Sequence, residues 1–493
     1  MTHHKTFGRP SSVLRLALLA AAAPSIAFAV GPDYRRPEVP LTPAYHAPLA
    51  APGATVAALD GWWAGFNDPA LSRVVERALA QNLDIEQARQ RVLQSRAAAR
   101  AAGAALAPQV RATGSVAQVK QSLQSPIGKI AGGLPGFERS YDDETLGVAA
   151  SWEIDLFGGL RREREAARAE ARDAARQADA IRISVAAEAA DAYLQVRAYQ
   201  VRLAVARRQQ QIQQDLVDLI SRRAAEGVSP DRELREAKAS LEGVNAAIPP
   251  LTAGLEAQLN RLDVLMGAQA GTYRAELAQP APEPAPPTLA SAPSPGDLLR
   301  RRPDILAAEQ RVIAANARIG AALSDYYPKI SLSGLIGVES LGVSQLFTGG
   351  AVAHQVGAGL SWRLFDFGRV DAEVAQARGR DGEALAAYRA TVLQATREVE
   401  DAFTDLAQQQ ARGEALARQV EQLTVARRQA QDAYEGGVTS LVEVRDADRE
   451  LLTASDQLVQ AKAGAARAAV AGFRALGGGW SPPSAPVAVA AAR

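Results

Sequence analysis

The chain of 493 residues contains no cysteine. This absence excludes disulfide bonds, thiol catalysis and cysteine-ligated metal. Histidine is also scarce, and His3, His4, His46 and His354 are not spaced as the ligands of a metal site. The sequence contains no recognisable combination of nucleophile, base and metal ligand. Composition therefore argues against an enzyme and predicts no cofactor.

Charge is balanced along the chain. There are 55 lysine and arginine residues and 54 aspartate and glutamate residues, which gives a formal net charge of +1. No global basic surface therefore points to nucleic acid as a partner. After the N-terminal region, no stretch approaches the roughly 18–20 uninterrupted apolar residues of a membrane-spanning helix. The mature chain is therefore predicted to be secreted, or to cross a membrane by means other than helices.

The N-terminus has the three parts of a secretory signal. Lys5, Arg9 and Arg15 supply positive charge, an apolar run follows, and Ala27-Phe28-Ala29 offers a cleavage site with small residues at both ends. We predict a signal peptide over residues 1–29 and hence export from the cytoplasm. The alternative is an alanine-rich leader without a targeting role.

The chain is internally duplicated. The segment Ser151–Gly158 (SWEIDLFG) is echoed 210 positions later by Ser361–Gly368 (SWRLFDFG). Upstream, Asp84–Pro108 is echoed 220 positions later by Asp304–Pro328. The offset of ten between the two intervals is most simply explained by a longer loop in the first copy. A repeated unit of about 200 residues therefore decides the architecture.

Each copy contains a predicted pair of antiparallel strands. Apolar and polar or small residues alternate over Leu146–Leu156 and again over Val356–Leu364, which is the period of a strand. The partner strands are predicted over Val110–Val119, where the pattern is weaker, and Ile330–Val338. Polar, glycine-rich loops join the partners over Lys120–Glu144 and Ser340–Ala353. The sequence thus predicts four strands, each with one apolar and one polar face.

Long helices follow the strands. A first helix is predicted to open with Asp68 as its N-cap and Pro69 in its first turn. Neither proline nor glycine interrupts Arg161–Glu226, a length of about 100 Å as a helix. Apolar residues recur every seven positions, as in coiled coils, at Val205, Ile212 and Leu219, and at Leu385, Val392, Val399 and Leu406. The turn glycines Gly227 and Gly437 are also 210 apart, which predicts helical arms of equal length in both copies.

These patterns divide the chain into ten predicted segments. They are a signal peptide (1–29), an extended N-terminal arm (30–60), a helix (61–107), a β-hairpin (108–157), long coiled-coil helices (158–268), a linker (269–303), a second-copy helix (304–327), a second β-hairpin (328–367), second-copy long helices (368–476) and a disordered tail (477–493). The predicted fold class is a mixture of an all-α coiled coil and a membrane β-barrel, in an internally duplicated chain.

Four amphipathic strands indicate a pore assembled from several chains. In a bilayer the apolar face would meet lipid and the polar face would line a channel. Four strands cannot close a barrel, and open edges are not tolerated in lipid. Two or three copies are the smallest solutions, and the strand pattern does not choose between them. Long helices that extend such a barrel predict a conduit.

Five motifs, in this order, resemble the TolC-like outer-membrane efflux proteins, specifically the NodT/OprM-type branch that serves tripartite multidrug pumps. The motifs are Gly31-Pro32-Asp33-Tyr34, Trp62–Pro69, Trp152–Gly158, Arg302-Pro303-Asp304-Ile305 and Ala475–Trp480. The resemblance covers essentially all of the mature chain. It implies a homotrimer in the outer membrane of a Gram-negative bacterium, with a twelve-stranded β-barrel continuous with a periplasmic α-helical barrel.

The resemblance also implies the partners. The inner end of such a channel is closed until a periplasmic adaptor and an inner-membrane pump of the resistance-nodulation-division class engage it. Energy comes from that pump, so no cofactor is implied, and the pump selects the substrates. One departure is that many relatives carry a lipid-modified cysteine before the Gly-Pro-Asp-Tyr motif, where this chain has Phe28. Anchoring by the barrel alone follows from that difference.

The resemblance places functional residues near the turns between the long helices. Tyr434, Val442 and Asp446 fall on the constricting positions of a periplasmic gate, where three aspartates and an apolar ring would block passage and attract cations. The alternative is a solvated helix residue at Asp446 and ordinary seam packing at Val442. The adaptor-contacting tips are predicted at Gly227, Val228, Ser229, Gly437, Val438 and Thr439.

Two tryptophans and two glycines mark the junctions between sheet and helices: Trp152, Gly158, Trp362 and Gly368. The tryptophans could instead belong to an aromatic girdle at the membrane surface. Other functions also remain open on this scaffold. They are protein export with an ABC-type pump, metal-ion efflux, which the scarcity of methionine disfavours, and a periplasmic coiled-coil scaffold without a pore.

Overall fold

The computed structural model describes residues 29–47, 59–287 and 294–480. The predicted signal peptide up to residue 28 lies outside the described residues, as do positions 48–58 of the arm, 288–293 of the linker and 481–493 of the tail. The described chain forms two compact units. One contains the sheet and the helical segments next to it, and the other contains most of the long helices.

The described residues contain ten α-helices and four β-strands. The helices are α1 (Pro69–Gln81), α2 (Leu83–Ala104), α3 (Pro126–Ala131), α4 (Gly159–Ala225), α5 (Asp231–Leu265), α6 (Arg274–Leu277), α7 (Pro295–Arg301), α8 (Pro303–Ser324), α9 (Arg369–Glu435) and α10 (Leu441–Ala475). The strands are β1 (Gln109–Lys120), β2 (Ser140–Ile154), β3 (Lys329–Ser340) and β4 (Val352–Ser361).

The four strands form one antiparallel sheet in the order β1-β2-β3-β4. This architecture confirms the predicted pair of strands in each copy. Strand β2, however, begins at Ser140, before the predicted end of the first loop at Glu144. The polar residues that extend it pair with the far end of β1, where Lys120 lies opposite Ser140. The backbone ladder continues through this polar stretch because ladder hydrogen bonds do not require apolar side chains.

The long helices have equal lengths in the two copies. Helices α4 and α9 each contain 67 residues, and the returning helices α5 and α10 each contain 35. The equality predicted from the spacing of the turn glycines is therefore confirmed. One difference is that α5 carries Pro249 and Pro250 in its interior, whereas α10 has no proline. Each proline removes one backbone donor from α5, so two carbonyls of the preceding turn lack their helical partners.

The single helix predicted over 61–107 is wrong, because the structure divides this segment. A short 3-10 helix, Leu59–Phe66, precedes α1, and α1 is separated from α2 at Asn82. The Asn82 side-chain oxygen accepts hydrogen bonds from the backbone N–H groups of Asp84 and Ile85. Its amide donates to the carbonyl of Leu265. Asparagine is a favoured N-cap, so this side chain starts a new helix where periodicity alone indicates a continuous one.

The disordered tail predicted from residue 477 is wrong for its first four positions. Gly477, Gly478, Gly479 and Trp480 are all buried, and the Gly479 N–H donates to the carbonyl of Leu59 at 2.8 Å. Gly477 and Gly479 have φ angles of +70° and +95°, which glycine adopts without steric cost. Burial of the large Trp480 side chain offsets the cost of ordering a glycine-rich segment.

The motif Arg302-Pro303-Asp304 anchors the start of α8. The Arg302 side chain is 9% exposed and donates to the carboxylates of Asp304 and Glu398, with its closest oxygens at 2.7 and 2.8 Å. It also donates to the backbone carbonyl of Ala475 at 3.0 Å. A buried guanidinium needs such partners, since an unpaired charge in the interior is costly. Arg302 therefore links the start of α8 to α9 and to the end of α10.

Removal of the α1 cap is expected to destabilise that helix. The Asp68 carboxylate accepts from the N–H groups of Ala70 and Leu71 and from the hydroxyl of Tyr193 at 2.6 Å, which confirms the predicted cap. Asp68→Ala removes all three acceptor contacts and should cost about 1–2 kcal/mol. Faster amide hydrogen exchange in α1 would report the loss. Asp84→Ala, which removes an exposed acid from the first turn of α2, serves as the control and should leave exchange in α1 unchanged.

Candidate functional site

The predicted tip residues lie in two matching exposed turns. Gly227 and Gly437 have φ angles of +77° and +72° and end α4 and α9 in the left-handed conformation common at helix C-termini. The N–H groups of Val228 and Val438 donate to the carbonyls of Arg223 and Ala433, five residues earlier. The Val228 and Val438 side chains are 62% and 84% exposed. Each turn therefore presents an exposed valine on a hydrogen-bonded backbone.

A hydrophobic cluster lies at the tip ends of the four long helices. Leu216, Val217 and Ile220 come from α4, and Ala237 comes from α5. The second copy contributes Tyr434, Leu441 and Val444. Because this cluster joins α4 and α5 to α9 and α10, a rotation of one helical hairpin against the other would disrupt its packing.

The three predicted gate residues do not share one environment. Tyr434 is 6% exposed and packs in the cluster, with the guanidinium of Arg223 5.3 Å from the ring centroid. Burial raises the pKa of the Tyr434 phenol. By contrast, Val442 is 41% exposed and the Asp446 side chain is 47% exposed. Four residues apart on α10, Val442 and Asp446 lie on one helix face, to which Tyr434 does not contribute.

Two polar contacts near this face hold α10 in position. The Arg445 guanidinium lies 3.4 Å from the Glu236 carboxylate on α5. Asp448 is 2% exposed, and its carboxylate accepts from Arg427 at 2.8 Å and from Gln213 at 3.3 Å. Sequence reasoning did not identify Asp448. The available signal is its spacing, because Leu441, Val444 and Asp448 follow the apolar seam and a charge at such a position requires a partner.

The junctions between sheet and helices repeat the same hydrogen bond. The Trp152 indole donates to the carbonyl of Leu106 at 3.0 Å, and the Trp362 indole donates to the carbonyl of Tyr326 at 2.9 Å. Gly158 has a φ of +85°, and a Cβ there would lie 2.5 Å from the Cα of Ala29. Gly368 has a similar φ of +84° but open surroundings. At Gly158 both the positive φ and the close approach of Ala29 disfavour a side chain. At Gly368 only the positive φ does so.

An aspartate carboxylate accepts backbone hydrogen bonds at the N-terminus of each of the two longest helices, α4 and α9. Asp155 accepts from the N–H groups of Leu160 and Arg161 at the start of α4. Asp366 accepts from the N–H groups of Gly368 and Val370 at the start of α9. Negative charge at a helix N-terminus is favourable, so these residues fix the points at which the chain changes from strand to helix.

A cavity of about 970 Å³ lies beside the segment that follows α6. Apolar atoms and prolines line much of it, together with Glu283, Glu414 and Lys462. One oxygen of the Glu283 carboxyl is buried without a hydrogen-bond partner. Burial raises the pKa of Glu283 from 4.5 to about 7, and the nearby Lys462 opposes this shift. Glu283 is therefore a carboxyl group that the fold holds in an unfavourable environment when ionised.

In the described part of the chain, no group of three or more histidine, aspartate or glutamate side chains is placed to bind a metal ion. In the same residues, none of the helices has an apolar stretch sufficient to pass through a bilayer.

Ionisation of Glu283 is expected to make stability depend on pH. Between about pH 4.5 and 7 the folded chain retains a proton that the unfolded chain releases, so the free energy of unfolding falls as pH rises through this window. Glu283→Gln keeps the neutral shape and should raise the thermal midpoint at pH 8 but have little effect at pH 4.5. Glu414→Gln, at an exposed acid lining the same cavity, is the control. An equal effect of Glu283→Gln at both pH values would contradict the assignment.

Comparisons with known proteins agree with this architecture. Residues 74–268 and 294–478, which correspond to the two copies of the repeat, match the model of the outer membrane efflux protein family. The chain is 31% identical over 458 residues to the outer membrane protein OprJ of Pseudomonas aeruginosa, covering 92% of this chain and 93% of the relative. It is also 31% identical over 461 residues to the toluene efflux pump outer membrane protein TtgF of Pseudomonas putida, with 91% and 93% covered.

The fold agrees with a solved channel of the same kind. The structure of the outer-membrane channel OprN superposes with a TM-score of 0.84 at 34% identity, covering 92% of this chain and 100% of that one. The family model matches well over half of the sequence, in both copies of the repeat. The chain therefore belongs to the outer membrane efflux protein family and is an outer-membrane efflux channel.

Proposed function

We propose that this channel is the exit duct of a tripartite pump and that three copies form one pore. The observation that carries the proposal is the four-stranded amphipathic sheet, in which β1 and β4 are each paired on one side only within the described residues. Unpaired backbone groups are not tolerated in lipid, so the sheet must continue into other copies. Three copies supply twelve strands, enough for a closed barrel with a water-filled interior.

The proposed partners are a periplasmic adaptor and an inner-membrane pump of the resistance-nodulation-division class. The names of similar proteins support this role, since TtgF is described as part of a toluene efflux pump and ArpC of Pseudomonas putida as part of an antibiotic efflux pump. Energy and selection are assigned to the pump, and passive conduction of small molecules is assigned to this channel.

We assign the periplasmic constriction to Val442 and Asp446. Both side chains are exposed on one face of α10, and Asp446 forms an ion pair with Arg449, at 3.4 Å. Around a threefold axis, this face would place three carboxylates and three apolar side chains in one ring. Such a ring narrows the pore and favours cations over anions. Tyr434 belongs to the supporting cluster, where it holds the helices that carry the ring.

Opening of this constriction is assigned to movement of α10 relative to α5. The Arg445–Glu236 contact at 3.4 Å and the cluster around Tyr434 oppose that movement. Each contact is modest on its own, because partly exposed ion pairs contribute about 0–1 kcal/mol. An adaptor bound at the adjacent turns can therefore shift the equilibrium by competing for a few such contacts.

Removal of the Asp446 carboxylate tests the ring. Asp446→Ala should raise the single-channel conductance of the purified protein in planar bilayers and reduce its preference for cations, because three charges leave the narrowest part of the pore. Asp231→Ala removes another exposed acid, near the other turn, and serves as the control. If Asp446→Ala and Asp231→Ala both conduct like the original protein, Asp446 does not line the constriction.

Cross-linking tests the adaptor contact. Because the chain lacks cysteine, Ser229→Cys and Thr439→Cys each introduce a single reactive thiol at a helical turn. Both should cross-link to the adaptor when cells also produce it, while Ser455→Cys, on α10 far from the turns, should not. Failure at both turn positions, with the channel still assembled in the outer membrane, would exclude the tips as the docking surface.

A further inference from the structure

The two edge strands of the sheet, β1 and β4, expose large apolar side chains. On β1, Val110 and Val116 are 69% and 79% exposed, and on β4, Val356 and Leu360 are 87% and 68% exposed. Each of these strands has one partner in the described sheet, so its other edge presents free N–H and C=O groups. Open edges of this kind invite pairing with another strand.

The internal duplication allows the register of one strand pair to be predicted from another. The two hairpins, β1–β2 and β3–β4, provide a check of this method. A shift of 220 positions converts β1 into β3, and a shift of 210 converts β2 into β4. Under these shifts the pair Gln109–Ser151 becomes Lys329–Ser361, which is a pair that the second hairpin makes. Val110–Ala150 likewise becomes Ile330–Leu360, again an observed pair. The offsets therefore reproduce the register of one hairpin from the other.

The contact between β2 and β3 has a counterpart that no single chain can make. Shifting β2 forward by 210 gives β4, whereas shifting β3 back by 220 gives β1. Within one chain, β4 and β1 are at opposite edges of the sheet. The missing pairing therefore requires β1 of a second copy. The register of β2 with β3 then specifies the register across the boundary between two copies.

We propose that β4 pairs antiparallel with β1 of a second copy, with Ser361 opposite Thr113 and Trp362 opposite Ala112. These pairs are the counterparts of Ser151–Ser333 and Trp152–Leu332, which the chain makes internally. The inference rests on the proposed multichain barrel and adds the register of its seam. It does not depend on the number of copies, because any closed ring of this sheet repeats the same boundary.

The proposed register keeps both faces of the sheet continuous. On the apolar face, Leu364 lies beside Val110 of the second copy, and Ala358 lies beside Val116. On the polar face, Ser361 lies beside Thr113. A slip of one residue would place the apolar residues of β1 on the polar face, because side chains alternate along a strand. Slips by an even number of residues remain as competitors, and the smallest of these, slips of two residues, can be separated by experiment.

The seam and its internal counterpart differ in their side chains, and one difference removes an aromatic contact. Within the chain, the Phe157 ring stacks on Tyr327 with centroids 4.5 Å apart. The same shifts place Phe367 against position 107 of the second copy, which is alanine. Phe367 is fully exposed in the single chain and has a φ of +54°. The boundary between copies therefore lacks a ring pair that the internal boundary has.

Paired cysteines in this cysteine-free chain test the register. Directly opposed Cα atoms in an antiparallel sheet are about 4.5–5.5 Å apart, within the range of about 4.4–6.8 Å for disulfides. Neighbours two residues further along lie at about 7–8 Å, beyond that range. The full-length variant Ser361→Cys/Thr113→Cys should therefore form disulfide-linked dimers and trimers on oxidation in membranes. The links should disappear on reduction.

Three matched variants make the result decisive. Ser151→Cys/Ser333→Cys is the counterpart inside one chain and should form an intrachain bridge without linked oligomers. Ser361→Cys/Arg111→Cys and Ser361→Cys/Ser115→Cys represent slips of two residues and should give at least tenfold less linked product. Preferential linkage in either slipped variant would overturn the register. So would absence of linkage in Ser361→Cys/Thr113→Cys when the intrachain control is bridged.

Failure of the register can be distinguished from failure of the proposed pore. The mass of each purified variant in detergent, measured by light scattering under reducing conditions, reports assembly independently of disulfides. An assembled protein that links in a slipped register overturns the seam and leaves the channel intact. A protein that is a single subunit in detergent overturns the multichain barrel and the seam together.

Discussion

The constraint on which the rest of the structure depends is the hydrogen bonding of the sheet edges. A strand in lipid must pair its N–H and C=O groups, and water is absent there to replace a missing partner. The sheet β1-β2-β3-β4 satisfies its interior and leaves two edges. In the proposed multichain barrel, assembly is part of the fold, since neighbouring copies supply the partners that the two edge strands require.

The helical part meets a different requirement. Helices α4 and α9 are far longer than helices that pack in a globular core, and their stability depends on side-by-side packing over the whole length. At the turns this packing is a small apolar cluster around Tyr434, supplemented by the buried Asp448–Arg427 pair. In the proposed gating, a docking protein can offset such a modest set of contacts and so shift the channel between closed and open states.

The duplication connects these two parts. Both copies have the same strand register, the same indole-to-carbonyl bond at the junction and the same turn at the tip. They differ at particular residues. The exposed Val442 of α10 corresponds to Arg232 in the first copy, and α5 carries a proline pair that α10 lacks. The two copies thus share a backbone arrangement but differ in their exposed side chains. The proposed constriction uses residues of the second copy alone.

The sequence by itself determined the duplication, the four amphipathic strands and the equal lengths of the helical arms, because period and spacing are local properties that burial on one face imposes. It did not determine the break at Asn82, the burial of Trp480 or the environments of Tyr434 and Asp448. Each of these depends on partners far along the chain: Leu265 for Asn82, Leu59 for the glycines before Trp480, and α4 for the cluster and the buried aspartate. Only tertiary structure brings such partners together, and their hydrogen bonds and packing then decide what local periodicity leaves open.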